Sequence, residues 1–165
     1  MREKIMAKNL VVKSLNIENF TLFEKENLNF SSGLNIIIGE NDTGKSHLLR
    51  LLYSLIESNN FVILEKADNK RYLLQKSIPQ KLIDIFKTEK LAHLIQNGQD
   101  KCHIKINLTK YNIKFNFTQK TKIQVNINKN DVPARFIKQL TLQTKTPKIT
   151  KTIKKVIRCI SQLVF

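Results

Sequence analysis

The eight residues from Gly39 to Ser46, GENDTGKS, have the spacing of a phosphate-binding loop, G-x-x-x-x-G-K-[ST]. In such a loop, successive backbone N–H groups converge on a phosphate, and the helix that follows adds partial positive charge. Gly39 lets the chain turn sharply, and Gly44 lets the backbone approach a phosphate closely. Lys45 is expected to reach the β- and γ-phosphates, and the Ser46 hydroxyl is expected to bind Mg²⁺. The pattern therefore predicts a site for a magnesium nucleotide.

The remaining residues of the loop contribute mainly backbone groups, and His47 adds its N–H at the start of the next element. The predicted nucleotide-binding set is Gly39, Glu40, Asn41, Asp42, Thr43, Gly44, Lys45, Ser46 and His47, with Ser46 as the metal ligand. No catalytic residue is predicted in this chain. Phe20 and Phe23 could flank an adenine, but such residues are more often part of a core. Arg135 is interpreted as a solvated loop arginine or as a contact to a phosphate or a partner, and these alternatives stay open.

A strand before the loop and a helix after it must position these groups. Leu34 to Ile38 is a nearly continuous apolar run, which predicts a strand buried on both faces. Leucine and isoleucine recur with helical spacing from Leu48 to Ile56, which predicts an amphipathic helix that ends at Glu57-Ser-Asn-Asn60. Alternation from Val11 to Phe30 predicts a hairpin with its turn at the sequence EKEN.

The second half of the chain is predicted to be mixed and then mainly β. The sequences FVILEK and RYLLQK are interpreted as short strands, and residues 79–98 as helical, with Pro79 at the start, a break at Thr88 and a stop at Gly98. Alternation around Ile104–Leu108, Ile113–Phe117 and Ile123–Ile127 predicts an antiparallel meander. Residues 1–137 are predicted to form one domain, and residues 138–165 a basic tail, disordered or helical, with seven basic and no acidic residues.

The chain has 165 residues and a formal net charge of +16. Such a charge indicates an anionic partner, although a lysine- and asparagine-rich composition also follows from codon bias. The two cysteines, Cys102 and Cys159, lie far apart and form no metal-binding pattern with three histidines. No signal peptide or membrane-spanning run is present in the sequence, so no membrane partner and a cytoplasmic location are expected.

The segment from Lys13 to Ile56 resembles the bacterial AAA/ABC-type ATPases of the SMC/RecF/OLD-like group. The resemblance consists of I-x-N-F-x-x-F, then L-x-F, then the phosphate loop with its flanking strand and helix. It implies an α/β fold, the N-terminal lobe of a P-loop NTPase head with an antiparallel β-subdomain, incomplete in this chain. It also implies ATP and Mg²⁺ as ligands, with adenine near the first strands and two heads clamping two ATP molecules.

The chain departs from this family in the elements that follow the first lobe. No apolar strand ending in Asp-Glu (the Walker-B element), no signature sequence and no switch histidine is found in the sequence. Without those carboxylates, the metal and the attacking water lack their anchors, so little autonomous hydrolysis is expected. The sequence therefore predicts an ATP-binding N-terminal part of such an ATPase, with a second ATPase half or a homodimer as partner. A basic DNA-interaction module and a non-functional truncated remnant are the alternatives.

Overall fold

Five strands with alternating apolar residues form one antiparallel sheet. The structure is a computed structural model that describes residues 11–64, 70–109, 111–120 and 126–127. The strands are β1 (Val12–Phe20), β2 (Phe23–Asn29), β3 (Lys101–Leu108), β4 (Asn112–Thr118) and β5 (Asn126–Ile127). Their order in the sheet is β2-β1-β3-β4-β5, and all described neighbours are antiparallel. The first strand therefore lies inside the sheet, between its hairpin partner and a strand from much later in the chain.

The predicted N-terminal hairpin is confirmed, but its turn is two residues long and lies at Thr21–Leu22, not at EKEN. Phe20 pairs with Phe23, and EKEN belongs to β2. The turn is held by tertiary contacts, because the Thr21 N–H donates to the Leu94 carbonyl at 2.9 Å. Charged residues are tolerated in β2 because it is an edge strand of the sheet and its side chains meet water.

Two long helices, α1 (Lys45–Leu64) and α2 (Lys70–Phe86), pack against each other and against the sheet. The predicted end of α1 at residues 57–60 is wrong, because the polar residues there are satisfied inside the fold. Ser58 donates its hydroxyl to the Ser77 carbonyl at 3.2 Å, and Asn59 accepts a hydrogen bond from the Tyr111 hydroxyl. Buried Ser58 and Asn59 thus let the helix continue where the sequence suggests a stop.

The two short strands expected from FVILEK and RYLLQK are also wrong. Residues 61–64 belong to α1 and residues 71–76 to α2, where Val62 and Leu74 are buried in the core. Pro79 does not start a helix but lies inside α2, between the fully buried Ile78 and Leu82. Packing of these side chains outweighs the hydrogen bond that a proline removes from a helix.

The break predicted near Thr88 is confirmed, since α2 ends at Phe86 and a 3₁₀ helix, Leu91–Leu94, follows it. The sheet and the helices share one core, formed by one face of β1, β3 and β4 and the facing residues of both helices. The predicted meander is confirmed for β3 and β4, and its third strand is described only at Asn126–Ile127. The tail from residue 138, the proposed boundary at residue 137, Arg135 and Cys159 lie outside the described residues.

The segment Leu34–Ile38 does not form the buried strand that its composition predicts. No described strand pairs with it, and Leu34, Ile36 and Ile38 are 83%, 72% and 87% exposed. The apolar run identified a segment suited to burial on two faces, but a strand needs neighbours, and the described residues supply none.

Candidate nucleotide-binding site

The phosphate-loop sequence forms a turn that leads directly into α1. Asn41 and Asp42 form the turn, Asp42 has a φ of +62°, and α1 begins at Lys45. The first helical hydrogen bond is from the Leu48 N–H to the Gly44 carbonyl at 2.9 Å. Among the described residues, the N–H groups of residues 40–44 have no hydrogen-bond acceptor. A turn of free N–H groups at the start of a 20-residue helix is suited to an anion.

The lysine of the motif lies over the loop. The Lys45 ammonium donates to the Gly39 carbonyl at 2.7 Å and to the Glu40 carbonyl, and it lies 3.4 Å from the Thr43 hydroxyl. Thr43 in turn donates its hydroxyl to the Glu40 carbonyl at 2.8 Å. These bonds hold the ammonium against the loop backbone, and no carboxylate of the described residues is among the partners of Lys45. The charge is therefore available to a phosphate that enters the loop.

Gly44 is the tightest point of the loop. It is buried, its φ is +87°, and a Cβ added there would lie 2.7 Å from Cζ of Phe23. The first residue of β2 thus packs on the loop, and only glycine fits between them. Phe20, by contrast, is fully buried and meets Phe86 edge to face at 5.5 Å. The preference for Phe20 as a core residue is confirmed.

A cavity of about 700 Å³ lies beside the first turns of α1, and no residue from Gly39 to Ser46 is part of its wall. Its wall contains Thr21 and Leu22 of the hairpin turn, His47 and Arg50 of α1, and residues between Phe86 and Asn97. Three buried polar atoms of this wall have no hydrogen-bond partner: Thr21 Oγ1, His47 Nδ1 and Arg50 Nε. Buried polar atoms are nearly always paired, so this wall has spare capacity to bind a polar ligand.

The cavity wall near the loop carries a neutral imidazole beside a cation. Burial, and secondarily the nearby Arg50, lower the pKa of His47 below its usual value. The ring of His47 packs against Phe86 with its centroid 5.6 Å away. Arg50 was missed in the sequence, although its spacing of three residues from His47 places both side chains on one side of the helix, next to the loop.

The metal predicted at Ser46 has one protein oxygen to bind. Ser46 is exposed at the second residue of α1, and the described residues contain no group of three or more His, Cys, Asp or Glu side chains that could hold a metal ion. Mg²⁺ commonly takes one or two protein ligands and completes its shell with phosphate oxygens and water, so a lone hydroxyl fits magnesium only together with a nucleotide. Asp84 accepts a hydrogen bond from the Gln80 side-chain amide at 2.8 Å on the exposed side of α2.

In the part of the chain described here, no helix is long and apolar enough to cross a membrane.

Comparison with curated proteins finds the DNA replication and repair protein RecF. The chain is 23% identical to RecF of Lachnospira eligens over 121 residues, which cover 73% of this chain and 25% of that protein. It is 31% identical to RecF of Streptococcus gordonii over 100 residues, which cover 52% of this chain and 28% of that protein. The matched segment therefore spans only about a quarter of the length of these relatives.

Solved structures with a similar chain course include a recombination mediator protein RecF bound to ATP, with a TM-score of 0.48, 18% identity, and coverage of 78% of this chain and 30% of that one. A structure from work on ATP-driven dimerization and DNA-stimulated activation of SMC ATPases has a TM-score of 0.47 and 16% identity, and covers 87% of this chain and 90% of that one.

The model of the AAA ATPase domain family matches residues 11–163, which is nearly the whole chain. Together with the RecF relatives, this match confirms the resemblance to the SMC/RecF-like group and the fold class of a P-loop NTPase N-terminal lobe. The chain belongs to the AAA ATPase domain family.

Proposed function

We propose that this chain binds MgATP through Gly39–Ser46, as the N-terminal part of an SMC/RecF/OLD-like ATPase with little hydrolysis of its own. The observation that carries the proposal is the buried Gly44, whose positive φ and contact with Phe23 leave room for a backbone turn but for no side chain. This geometry supports a role for the free N–H groups of the loop as phosphate donors, with Lys45 supplying the positive charge.

The nucleoside is proposed to extend from the loop into the cavity beside α1. His47 and Arg50 of the cavity wall follow the loop in α1, and the wall also contains the unpaired hydroxyl of Thr21 and the apolar side chain of Leu22. A neutral imidazole and a hydroxyl can each donate or accept a hydrogen bond, which suits the sugar and base of a nucleotide. Mg²⁺ would be held by the Ser46 hydroxyl and by the phosphates, whose negative charge it would offset.

Little autonomous hydrolysis is proposed because the sequence has no apolar strand ending in Asp-Glu, whose carboxylates would anchor the metal and orient the attacking water. The carboxylate in the cavity wall, Glu89, lies in the exposed segment after α2. Phosphoryl transfer depends almost entirely on positioning and electrostatic stabilisation. A loop that supplies phosphate donors alone should therefore bind ATP far better than it turns ATP over.

Titration calorimetry with MgATP tests the proposal. Lys45→Ala should weaken binding at least about tenfold, a loss of about 1.4 kcal/mol. Lys114→Ala, which removes an exposed lysine from β4, is the matched control and should bind as the wild type does. Equal affinity in Lys45→Ala and wild type would refute nucleotide binding at the loop. A steady turnover of ATP that Lys45→Ala abolishes would instead contradict the proposal that the chain hydrolyses little ATP on its own.

Nucleic acid is proposed as a further partner, on the evidence of the net charge of +16. Such a charge should give sequence-independent binding that weakens steeply with salt. Filter binding of a DNA duplex over a salt series, with and without MgATP, measures this. Retention that depends on salt but not on ATP would favour the basic DNA-interaction module over the nucleotide-binding protein. The proposed protein partner is a second ATPase half or a second copy of the chain.

A further inference from the structure

Arg50 brings a positive charge into the cavity wall without a partner in the fold. The residue is half-buried, and its Nε is shielded from water and has no hydrogen-bond acceptor. Among the described residues, no carboxylate forms an ion pair with its guanidinium. Arginine is rarely buried unless it is paired, because taking a charge out of water costs free energy. A bound anion would supply the partner that the fold leaves out.

The cavity wall holds further polar groups that suit such a ligand. Thr21 Oγ1 and His47 Nδ1 are buried and unpaired. The Thr88 hydroxyl donates to the Lys90 carbonyl at 3.2 Å, so its oxygen is left to accept from His93 Nδ1 at 3.0 Å. The segment itself thus holds the His93 ring in the wall, with Nε2 left for another partner. A cation, a hydroxyl and imidazole groups together suit an anion with several oxygens.

The cavity wall is also built with backbone strain. Thr21 has a φ of +50° and Lys87 a φ of +52°, and both residues line the cavity. A β-branched residue such as Thr21 is rare in this conformation. The Thr21 N–H donates to the Leu94 carbonyl at 2.9 Å, and the Gln96 N–H donates to the Asn19 carbonyl at 3.1 Å, so tertiary bonds fix the strained turn. Strain that is fixed in this way is typical of ligand sites.

We infer that the cavity binds a phosphate group at Arg50, in addition to the phosphates proposed at the loop. The phosphate belongs either to the sugar of the nucleotide in the loop or to a separate phosphate compound. The cavity volume of about 700 Å³ lies in the range of about 300–1,000 Å³ that is common for small-molecule sites, which leaves room for a nucleoside and a phosphate. The inference rests on the proposed function only for the first of the two sources.

The chemistry of the wall favours a phosphate over a carboxylate. The planar fork of an arginine can donate two parallel hydrogen bonds to either group. A carboxylate has two oxygens, which one guanidinium occupies, whereas a phosphate has further oxygens for Thr21 and His47. Among the described residues of the wall, Arg50 and Lys87 are cations and Glu89 is a carboxylate, so the formal charge there also favours an anion.

The three histidines of the chain supply the test. His47 and His93 line the cavity, whereas His103 lies on β3, outside the wall. In NMR spectra of the full chain, the Cε1–H signals of the three rings can be assigned by replacing each histidine in turn with glutamine. Inorganic phosphate should move the His47 and His93 signals with half-saturation below about 1 mM, and it should leave the His103 signal in place.

Variants of the arginine show whether it binds the phosphate. Arg50→Gln should weaken the response of the rings at least about tenfold. Arg71→Gln removes the same charge from α2, outside the wall, and this matched control should respond as the wild type does. Arg50→Lys keeps the charge but loses the fork, so its response should lie between those of the wild type and Arg50→Gln. An unchanged His103 signal shows that each variant is folded.

Two nucleotides distinguish the sources of the phosphate. If the phosphate belongs to the sugar, adenosine 3′,5′-bisphosphate should bind at least about tenfold more tightly than adenosine 5′-monophosphate, and Arg50→Gln should remove the difference. If the phosphate is separate, the two nucleotides should bind alike, and inorganic phosphate should still move the His93 signal when MgATP is bound. The absence of both patterns would overturn the inference.

Lys45→Ala should keep the response of His93 to inorganic phosphate, because Lys45 is not part of the cavity wall. A failure of ATP binding at the loop and a failure of this inference are therefore distinguishable. Four results would each overturn the inference: no movement of the two cavity rings below about 1 mM phosphate, equal responses in Arg50→Gln and the wild type, an equal movement of His103, or loss of the His93 response in Lys45→Ala.

Discussion

Replacing Gly44 with alanine should destabilise the fold by about 2–5 kcal/mol. Two effects add up in this estimate. The backbone at Gly44 has a φ of +87°, where an L-residue costs roughly 1–2 kcal/mol. The new Cβ would lie 2.7 Å from Cζ and 3.3 Å from Cε1 of Phe23, and overpacking of this kind typically costs about 1–3 kcal/mol. The ring must therefore move, and the contact between β2 and the phosphate loop must loosen.

Two other glycines of the chain separate these effects. Gly98 has a φ of +80° with nothing within 4 Å of an added Cβ, so Gly98→Ala should show the backbone cost alone, about 1–2 kcal/mol. Gly33 has neither a positive φ nor a neighbour within 4 Å, so Gly33→Ala should be neutral or stabilising by about 0.4–1 kcal/mol. Urea unfolding followed by circular dichroism gives the free energy of unfolding for each variant.

A double-mutant cycle with Phe23→Ala isolates the contact. Removing the ring leaves the strained φ of Gly44→Ala but removes the overlap, so the double variant should be less destabilised than the sum of the single variants by about 1–3 kcal/mol. The close contact of Phe23 with the loop would be refuted by two results together. The free energies lost in Gly44→Ala and Phe23→Ala would be additive, and Gly44→Ala would lose no more than Gly98→Ala. MgATP affinity should fall in Gly44→Ala and stay unchanged in Gly98→Ala.

Three further changes have defined outcomes. Lowering the pH from about 7.5 to about 5.5 should destabilise the wild type more than His47→Gln, because burial lowers the pKa of folded His47 and the unfolded chain takes up the proton first; equal losses in denaturant melts at the two pH values would contradict this. Tyr111→Phe should cost about 1–3 kcal/mol in urea unfolding, because buried Asn59 loses its hydrogen-bond donor, and an unchanged midpoint would show that the bond is absent. In a Cys159→Ser background, Cys102 should react with Ellman's reagent only after unfolding, because its thiol is buried and burial raises its pKa; rapid reaction of the native chain would disprove that burial.

The phosphate loop and the alternating strands could be predicted from the sequence because each depends on local spacing. In β1, β3 and β4, buried residues alternate with more exposed ones just as apolar residues alternate with polar ones in the sequence. The period of two therefore predicts that these segments are strands and where they lie. The start of α1 follows from the motif. The cavity beside the loop did not follow, because Thr21, Arg50 and the segment after Phe86 meet only in the folded chain.

The errors have physical causes that lie in long-range packing. Ser58 and Asn59 are polar residues of a kind that often ends a helix, but their hydrogen bonds with Ser77 and Tyr111 keep them inside α1. Leu34–Ile38 has the composition of a central strand, and composition reports what a segment needs rather than what is present to supply it. Short apolar runs such as FVILEK are ambiguous between helix and strand by periodicity alone.

The interior position of β1 has a consequence for the order in which the chain can fold during synthesis. The hairpin of β1 and β2 can form early, but the other edge of β1 pairs with β3, and the bonds that join Val11 to Thr109 span 98 residues. The edge of β1 that pairs with β3 therefore stays unpaired until α1, α2 and β3 have left the ribosome. Because closing so long a loop precedes the gain from its contacts, sheet assembly should be the slow step of folding, and a nascent chain stalled before residue 101 should hold α1 and α2 without a completed core.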